Sequence, residues 1–186
     1  MTRYDLAVAR AGTHTLGPAD GAIEVRTYRE GLAQKVGHDL IIDVTQWQAT
    51  IDVAQDGNPS AVTLDVDSRS LRVREGRNGL KPLNDSDRAD ILRSIDEKIL
   101  HGQPIVFRSS AVEGGAGRLT VRGDLTMDAT TRPATFQLVL TAAGRLSATL
   151  ALTQSEWGIK PYRGLLGALK VRDTVEIVLD VALPSD

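Results

Sequence analysis

The chain has 186 residues, a formal charge of −2 at pH 7 and no cysteine. Its length suits a single domain with a sizeable hydrophobic core, which we predict to span residues 1–186. The balanced charge argues against a nucleic-acid partner, and the missing thiols exclude disulfides and cysteine-based catalytic or metal sites.

Neither a secretory signal nor a membrane span is visible in the sequence. Arg3, Asp5 and Arg10 interrupt the apolar run that a signal peptide would need near the start of the chain. No segment approaches the length of about 20 apolar residues that a transmembrane helix requires. We therefore expect a cytoplasmic protein without a transmembrane segment.

Alternation of apolar and polar residues with a period of two predicts a chain made mostly of β-strands. The first such strand covers residues 23–27. Residues 40–44 and 47–53 also alternate, but with opposite parity, which predicts a bulge or tight bend near Thr45. Across the turn "QDGNP", the second of these runs is expected to pair with residues 62–66 as a hairpin.

One helix is predicted near residues 85–100. Ile91, Ile95 and Ile99 recur every four residues, and aspartates cluster at the start, where they suit the N-terminal end of a helix. Gly102 ends the pattern. We expect the isoleucine face to pack against the strands and not to act as a docking surface.

Strand alternation resumes after the helix, and two runs around the turn "EGGAG" predict a second hairpin. Closely spaced turns between many antiparallel strands favour a sandwich or a barrel over a parallel sheet with crossover helices. The later strands are predicted around residues 105–111, 119–127, 136–142, 146–152 and 175–183.

No motif for catalysis or metal binding stands out. His14, His38 and His101 lack a spacing that would bring two of them to one face, so no metal site is predicted. His38 and Asp39 are neighbours, and neighbours on an extended chain point to opposite faces, so we interpret the pair as a strand entrance and not as a catalytic dyad. Nucleotide-binding and nucleophile-elbow motifs are missing, and no cofactor is predicted.

The segment "SEWGIKPYRGLLGALKVRD" at 155–173 is apolar but interrupted by glycine and proline. Such a composition disfavours both a continuous strand and a continuous helix. A loop this apolar has to cover or line something. The sequence leaves open whether it closes one end of a barrel or seals an ordinary core.

A wider pattern is carried by "VGHDLIIDV" at 36–44, "VTLDVDSRSL" at 62–71, "PIVFRSSAV" at 104–112, "VRGDLTMDATTRPATFQL" at 121–138, and "SEWGIKP" with "VRDTVEIVLDV" near the C-terminus. In order and spacing these segments resemble the YceI-like proteins, lipocalin-like barrels associated with binding isoprenoid lipids. The more familiar members carry a secretion signal and read "VKHL" where this chain has "VGHDL". The chain therefore resembles a cytoplasmic branch of that family.

The resemblance implies a mainly β fold, an antiparallel lipocalin-like β-barrel of about eight strands with one α-helix inserted in a connection. It also implies non-catalytic binding, transport or sequestration of an isoprenoid or similar long apolar lipid inside the barrel. Two alternatives are an enzyme that modifies a small molecule with His38 and a packed barrel that acts as an interaction module. A homodimer is left open.

The lipid is expected inside the barrel and at its mouth. Aromatic residues make up only 4% of the chain, so an eight-stranded barrel filled by smaller side chains has room for an apolar void. His38 matches a histidine position of the family and is expected at the mouth, and Gly123 is expected to face inward. The other expected ligand-binding residues are Phe107, Leu125 and Phe136 in the walls and Trp157, Tyr162, Leu165 and Leu166 at the entrance.

Overall fold

Antiparallel strands make up most of the computed structural model, which describes residues 10–115 and 117–183. One helix, α1 (Asp85–Ile95), continues into a π-helical turn at Asp96–Leu100. Short 3₁₀ turns cover Gln34–Val36, Ser68–Ser70, Gln154–Trp157 and Leu165–Gly167. The strands are β1 (Gly12–Leu16), β2 (Gly21–Thr27), β3 (Arg29–Glu30), β4 (Asp39–Val44), β5 (Trp47–Val53), β6 (Pro59–Val66), β7 (Leu71–Arg77), β8 (Ile105–Gly115), β9 (Arg118–Met127), β10 (Thr130–Leu140), β11 (Arg145–Thr153), β12 (Arg163–Gly164), β13 (Leu169–Val171) and β14 (Thr174–Ala182).

Within the described residues, eleven strands form one antiparallel sheet in the order β1, β5, β6, β8, β9, β10, β11, β14, β2, β4, β7. The pairs β5·β6 and β4·β7 lie near opposite ends of this order, yet they are two halves of one bent hairpin. At its corner, Thr45 N donates to Ser70 O and Asp67 N donates to Gln46 O. The sheet therefore curls back on itself. A second, small sheet has the strand order β12, β13, β3 and shares no strand with the main sheet.

The mainly β antiparallel architecture with one inserted helix is confirmed, but the predicted count of about eight strands was too low. The corner of the bent hairpin splits two long strands, so β4 ends at Val44 and β5 begins at Trp47, where the parity change was predicted. No strand was predicted at β7, where Val73 is the one buried residue and gives a weak alternation signal. The single-domain prediction over residues 1–186 includes 1–9, 116 and 184–186, which lie outside the described residues.

The burial of the strands follows the period of two, but to different depths. In β5, Trp47, Ala49 and Ile51 are all buried, at 4–6% exposure. Val25 on β2 and Ile177 on β14 pack against the same core but are only partly buried. Inward side chains that stay partly exposed indicate that the interior of the curled sheet is not filled.

Helix α1 begins with a reciprocal cap. The Asn84 side chain accepts a hydrogen bond from Asp87 N (2.8 Å), and the Asp87 carboxylate accepts one from Asn84 N (3.0 Å). This capping box satisfies two N–H groups that a helix start would leave unpaired. Ile95 and Ile99 pack against the core cluster, as expected, although both remain partly exposed.

Asp39 ties together three segments at the start of β4. Its carboxylate accepts hydrogen bonds from Arg29 N (2.9 Å) and from the Asn78 side chain (2.7 Å). Burial alone would raise the pKa of Asp39, but these two hydrogen bonds and the charges of Arg29 and Arg172 together lower it below its ordinary value. The ionised form of Asp39 therefore stabilises this end of the sheet.

Gly123 faces inward on β9 but borders the backbone of β8. A Cβ at this position would lie 2.2 Å from the carbonyl oxygen of Arg108 and 2.6 Å from Cζ of Phe107. The register of β8 and β9 shifts between Ser109 and Ala111, so a bulge brings the two strands close together here. Gly123 permits this close approach and does not provide space for a ligand, which corrects its predicted role.

We predict that Gly123→Ala lowers the free energy of unfolding by about 1 to 3 kcal/mol, because the added methyl group overpacks the contact with β8. Urea denaturation measures the change. Gly115→Ala on the same hairpin is the control, since a Cβ there meets no atom within 4 Å. Equal stability of the two variants would contradict the packing argument.

Asp39→Asn should cost about 1 kcal/mol at pH 7, because hydrogen bonds to a charged acceptor are stronger than those to a neutral one. Since folding lowers the pKa of Asp39, its contribution is complete above the pKa of the unfolded chain, about 3.9. The contribution is lost as the pH falls from there through the lower folded-state pKa. Urea denaturation from pH 7 to pH 3 should show that the difference in unfolding free energy between the wild-type chain and Asp39→Asn becomes smaller. Asp124→Asn, an exposed site on β9, should show a smaller effect throughout.

Candidate ligand cavity

A cavity of about 790 Å³ occupies the interior of the curled sheet. Small-molecule sites in proteins typically measure about 300 to 1,000 Å³. Its walls include buried residues that are at most 2% exposed, such as Leu16, Leu146 and Val181. Ile91 and Ile95 of α1 and Ile99 of the π-helical turn complete the wall. The helix face therefore borders the cavity as well as the strands.

Apolar and charged lining residues are separated in space. The residues contributed by the main sheet are all apolar or aromatic except Thr27. The charged lining residues stand on the small sheet, on the loop before α1 and on α1 itself. They are Arg29, Lys81, Asp87, Asp90 and Lys170.

The mouth of the cavity lies where these segments meet. Val36 and Leu80 line the cavity and are nevertheless 48% and 71% exposed, so they mark the boundary with solvent. His38 lines the cavity between them, with Tyr162 from the segment after β11. The arrangement gives an apolar interior with polar groups at one end.

His38 is held by the loop that precedes α1. Its Nε2 lies 2.6 Å from Lys81 O, and a Cβ on Gly79 would lie 2.1 Å from the same nitrogen. Asp39 is bonded instead to Arg29 and Asn78. The two neighbouring side chains therefore diverge, as predicted, and do not form a catalytic dyad.

A histidine–carboxylate pair does occur elsewhere. His101 Nδ1 lies 2.8 Å from Asp128 Oδ1, and the His101 side chain is 52% exposed. Neither residue lines the cavity. The described residues contain no group of three histidine or acidic side chains placed to hold a metal ion.

Three predicted wall residues do line the cavity: Phe107, Leu125 and Phe136. The rings of Phe107 and Phe136 contact each other, with centroids 5.4 Å apart and planes tilted by 59°. Such a tilted geometry is favourable for aromatic pairs. Tyr162, predicted at the entrance, also lines the cavity, and Lys98 Nζ lies 5.9 Å from the centre of its ring.

The other predicted entrance residues do not line the cavity. Trp157 is 3% exposed and its Nε1 donates to Leu125 O at 2.8 Å, so this side chain fixes the turn after β11 to β9. Leu165 and Leu166 project into solvent from the turn between β12 and β13. Gly123 does not line the cavity either, because the β8 backbone lies against it.

Sequence reasoning missed the loop before α1 as part of the mouth. Leu80, Lys81, Pro82 and Leu83 all line the cavity. The signal was present, because two leucines stand inside the polar segment that separates β7 from α1. Apolar residues in such a connection indicate a surface that it covers.

None of the helices in the described ranges has the length and apolar character that crossing a membrane requires.

Comparisons with known proteins give one family match and several structures of similar fold. The model of the YceI-like domain matches residues 29–183. Burkholderia cenocepacia BcnA has a similar structure, with a TM-score of 0.59 and 14% identity over 86% of this chain and 94% of that chain. A mutant of the Campylobacter jejuni YceI protein, crystallised with a monobromobimane guest, gives a TM-score of 0.55 and 9% identity, over 77% of this chain and 85% of that one. The search of curated proteins gave no match. With a fold, a cavity and a domain match that covers most of its length, this chain belongs to the YceI-like family.

Proposed function

We propose that this protein binds a long apolar molecule, such as an isoprenoid or a similar lipid, inside its cavity and does not alter it chemically. The observation that carries the proposal is the 790 Å³ cavity, whose lining from the main sheet is apolar apart from Thr27. Each methylene group transferred from water into such a site gains about 0.8 kcal/mol. A hydrocarbon chain therefore binds favourably without any directional contact.

The distribution of polar groups favours one orientation of the ligand. An amphiphile that placed its tail among Val25, Leu150 and Ile177 would leave its polar end at the mouth, near His38 and Lys170. The reverse orientation would bury a polar group among aliphatic side chains without a hydrogen-bond partner, which is costly. Binding with the polar end outward is thus the arrangement that the charges support.

The two alternative functions fit these contacts less well. An interaction module built on a packed barrel would need side chains to fill the interior, but Val25 and Ile177 remain partly exposed to the cavity. An enzyme that used His38 as a general base would be expected to place an acidic partner beside it to stabilise the charged ring. Nε2 of His38 instead contacts the Lys81 carbonyl, and the adjacent Asp39 carboxylate is bonded to Arg29 and Asn78.

Protein purified without detergent should carry an apolar lipid, since the unfilled cavity favours retention. Mass spectrometry of an organic extract would identify the molecule and its amount per chain. Adding it back to extracted protein should raise the melting temperature, because a ligand that binds only the folded state stabilises that state. An extract without lipid, together with no response of the melting temperature to isoprenoids or fatty acids, would refute the proposal.

Ala148→Phe should weaken binding of an apolar fluorescent probe by about tenfold or more, which corresponds to about 1.4 kcal/mol. Ala148 lines the cavity from β11, so the added ring competes for ligand space. Ala151→Phe is the matched control, because Ala151 lies three residues further along the same strand and is exposed. Circular dichroism would verify that both variants fold. Equal probe affinity in the two variants would argue against an internal site.

A further inference from the structure

The large apolar side chains that are exposed in the described ranges are concentrated at one end of the molecule. They are Leu32 (99% exposed), Val36 (48%), Leu80 (71%), Leu165 (60%) and Leu166 (110%). We call these five residues the apolar rim. None of them lies on a strand of the main sheet.

The segments that carry the apolar rim are in contact with one another around the mouth. Ala33 N donates to Ala168 O at 2.9 Å, which joins the turn after β3 to the turn before β13. His38 Nε2 contacts Lys81 O, which joins the start of β4 to the loop that carries Leu80. Val36 and Leu80 themselves line the cavity. The apolar rim is therefore continuous with the opening through which a ligand enters.

Two of the five leucine and valine side chains are held outward by an unfavourable backbone. Leu165 and Leu166 have φ angles of 49° and 56°, in the left-handed region that residues other than glycine rarely adopt. Leu166 gains no burial in return, and Leu165 remains 60% exposed. Burial against the described residues therefore does little to compensate for this conformation.

The same segments carry most of the positive charge at this end. Residues 29–38, 77–83 and 160–172 contain eight lysines and arginines but one acidic residue, Glu30, although the whole chain has a charge of −2. Lys35 and Arg163 are exposed and form no ion pair with any described residue. Acidic residues near the mouth include Asp39, whose carboxylate is bonded to Arg29 N and Asn78, and Asp87 and Asp90 on α1, which line the cavity. The apolar rim is thus flanked by an excess of positive charge, which includes Lys35 and Arg163, both unpaired within the described ranges.

We propose that the apolar rim and its basic flanks dock reversibly on an anionic lipid bilayer, so that the cavity opens directly onto the membrane. Exposed leucines next to lysine and arginine are the combination that binds the interface of anionic membranes. The inference rests on the proposed function, because a carrier that loads an apolar lipid at a membrane spares that lipid a passage through water. A protein partner would not require the apolar side chains to surround the mouth.

Sedimentation of the full chain with lipid vesicles tests the proposal. Vesicles of equal parts phosphatidylglycerol and phosphatidylcholine should bind the protein, and vesicles of phosphatidylcholine alone should bind it less. High salt should weaken the binding to the anionic vesicles, because it screens the basic flanks. Leu165→Ser with Leu166→Ser, and separately Lys35→Glu with Arg163→Glu, should each reduce the bound fraction by about tenfold.

Matched controls separate this surface from general charge effects. Arg118→Glu changes an exposed arginine on β9, at the end of the sheet opposite Thr27, and should leave vesicle binding within about twofold. Leu166→Trp should strengthen binding, since tryptophan favours the membrane interface. Because all substituted side chains are exposed, unchanged melting temperatures are expected for every variant.

Failure of docking and failure of the proposed function give different results. Ala148→Phe should still bind anionic vesicles, and the Leu165→Ser, Leu166→Ser variant should still bind the apolar probe delivered without vesicles. If the wild-type chain retains lipid but binds neither kind of vesicle, docking is refuted and the carrier function stands. A dimer in size-exclusion chromatography that the serine substitutions dissociate, without vesicle binding, would assign the apolar rim to a second copy of the chain and overturn the proposal.

Discussion

The corner at which Thr45 and Gln46 bond to Asp67 and Ser70 is the interaction on which the rest of the structure depends. It lets one long hairpin lie near both ends of the strand order, so its two halves pair on different sides of the sheet. Without it the sheet would be open, and its apolar face would need another layer to cover it. Because the sheet curls, its own strands cover one another. The size of the interior then depends on how many strands the sheet has and not on a second layer.

The interior remains open because its side chains are too small to fill it. Phe107 and Phe136 are the phenylalanines of this sequence, and they contact each other on one wall. Most other positions are aliphatic, and several that face the void, such as Leu150 and Leu179, are only partly buried. Side chains that border a void lose dispersion contacts on that side. A bound apolar molecule restores those contacts, so ligand binding and folding stability are coupled through the same surfaces.

Local alternation predicted where most strands lie and which parity faces inward, including the reversal between Val44 and Trp47. It could not decide which inward residues border space, since that depends on register between distant strands. Gly123 and Leu125 share one face of β9, yet a bulge in β8 closes the space at the glycine while the leucine lines the cavity. Trp157 was assigned to an entrance because of its loop, whereas its partner, the Leu125 carbonyl, is distant in sequence.

The pairing of β14 with β2 determines when the cavity can form during synthesis. Tyr28, just after β2, donates a hydrogen bond to Glu176 across 148 positions of sequence, and β14 also pairs along its length with β11. Contacts this distant in sequence slow folding, because a long loop must close before they form. Until β14 has left the ribosome, β2 and β11 each present an unpaired edge and an uncovered apolar face, which are the surfaces that aggregate. Completion of the ligand site and protection from misassembly are therefore the same late event.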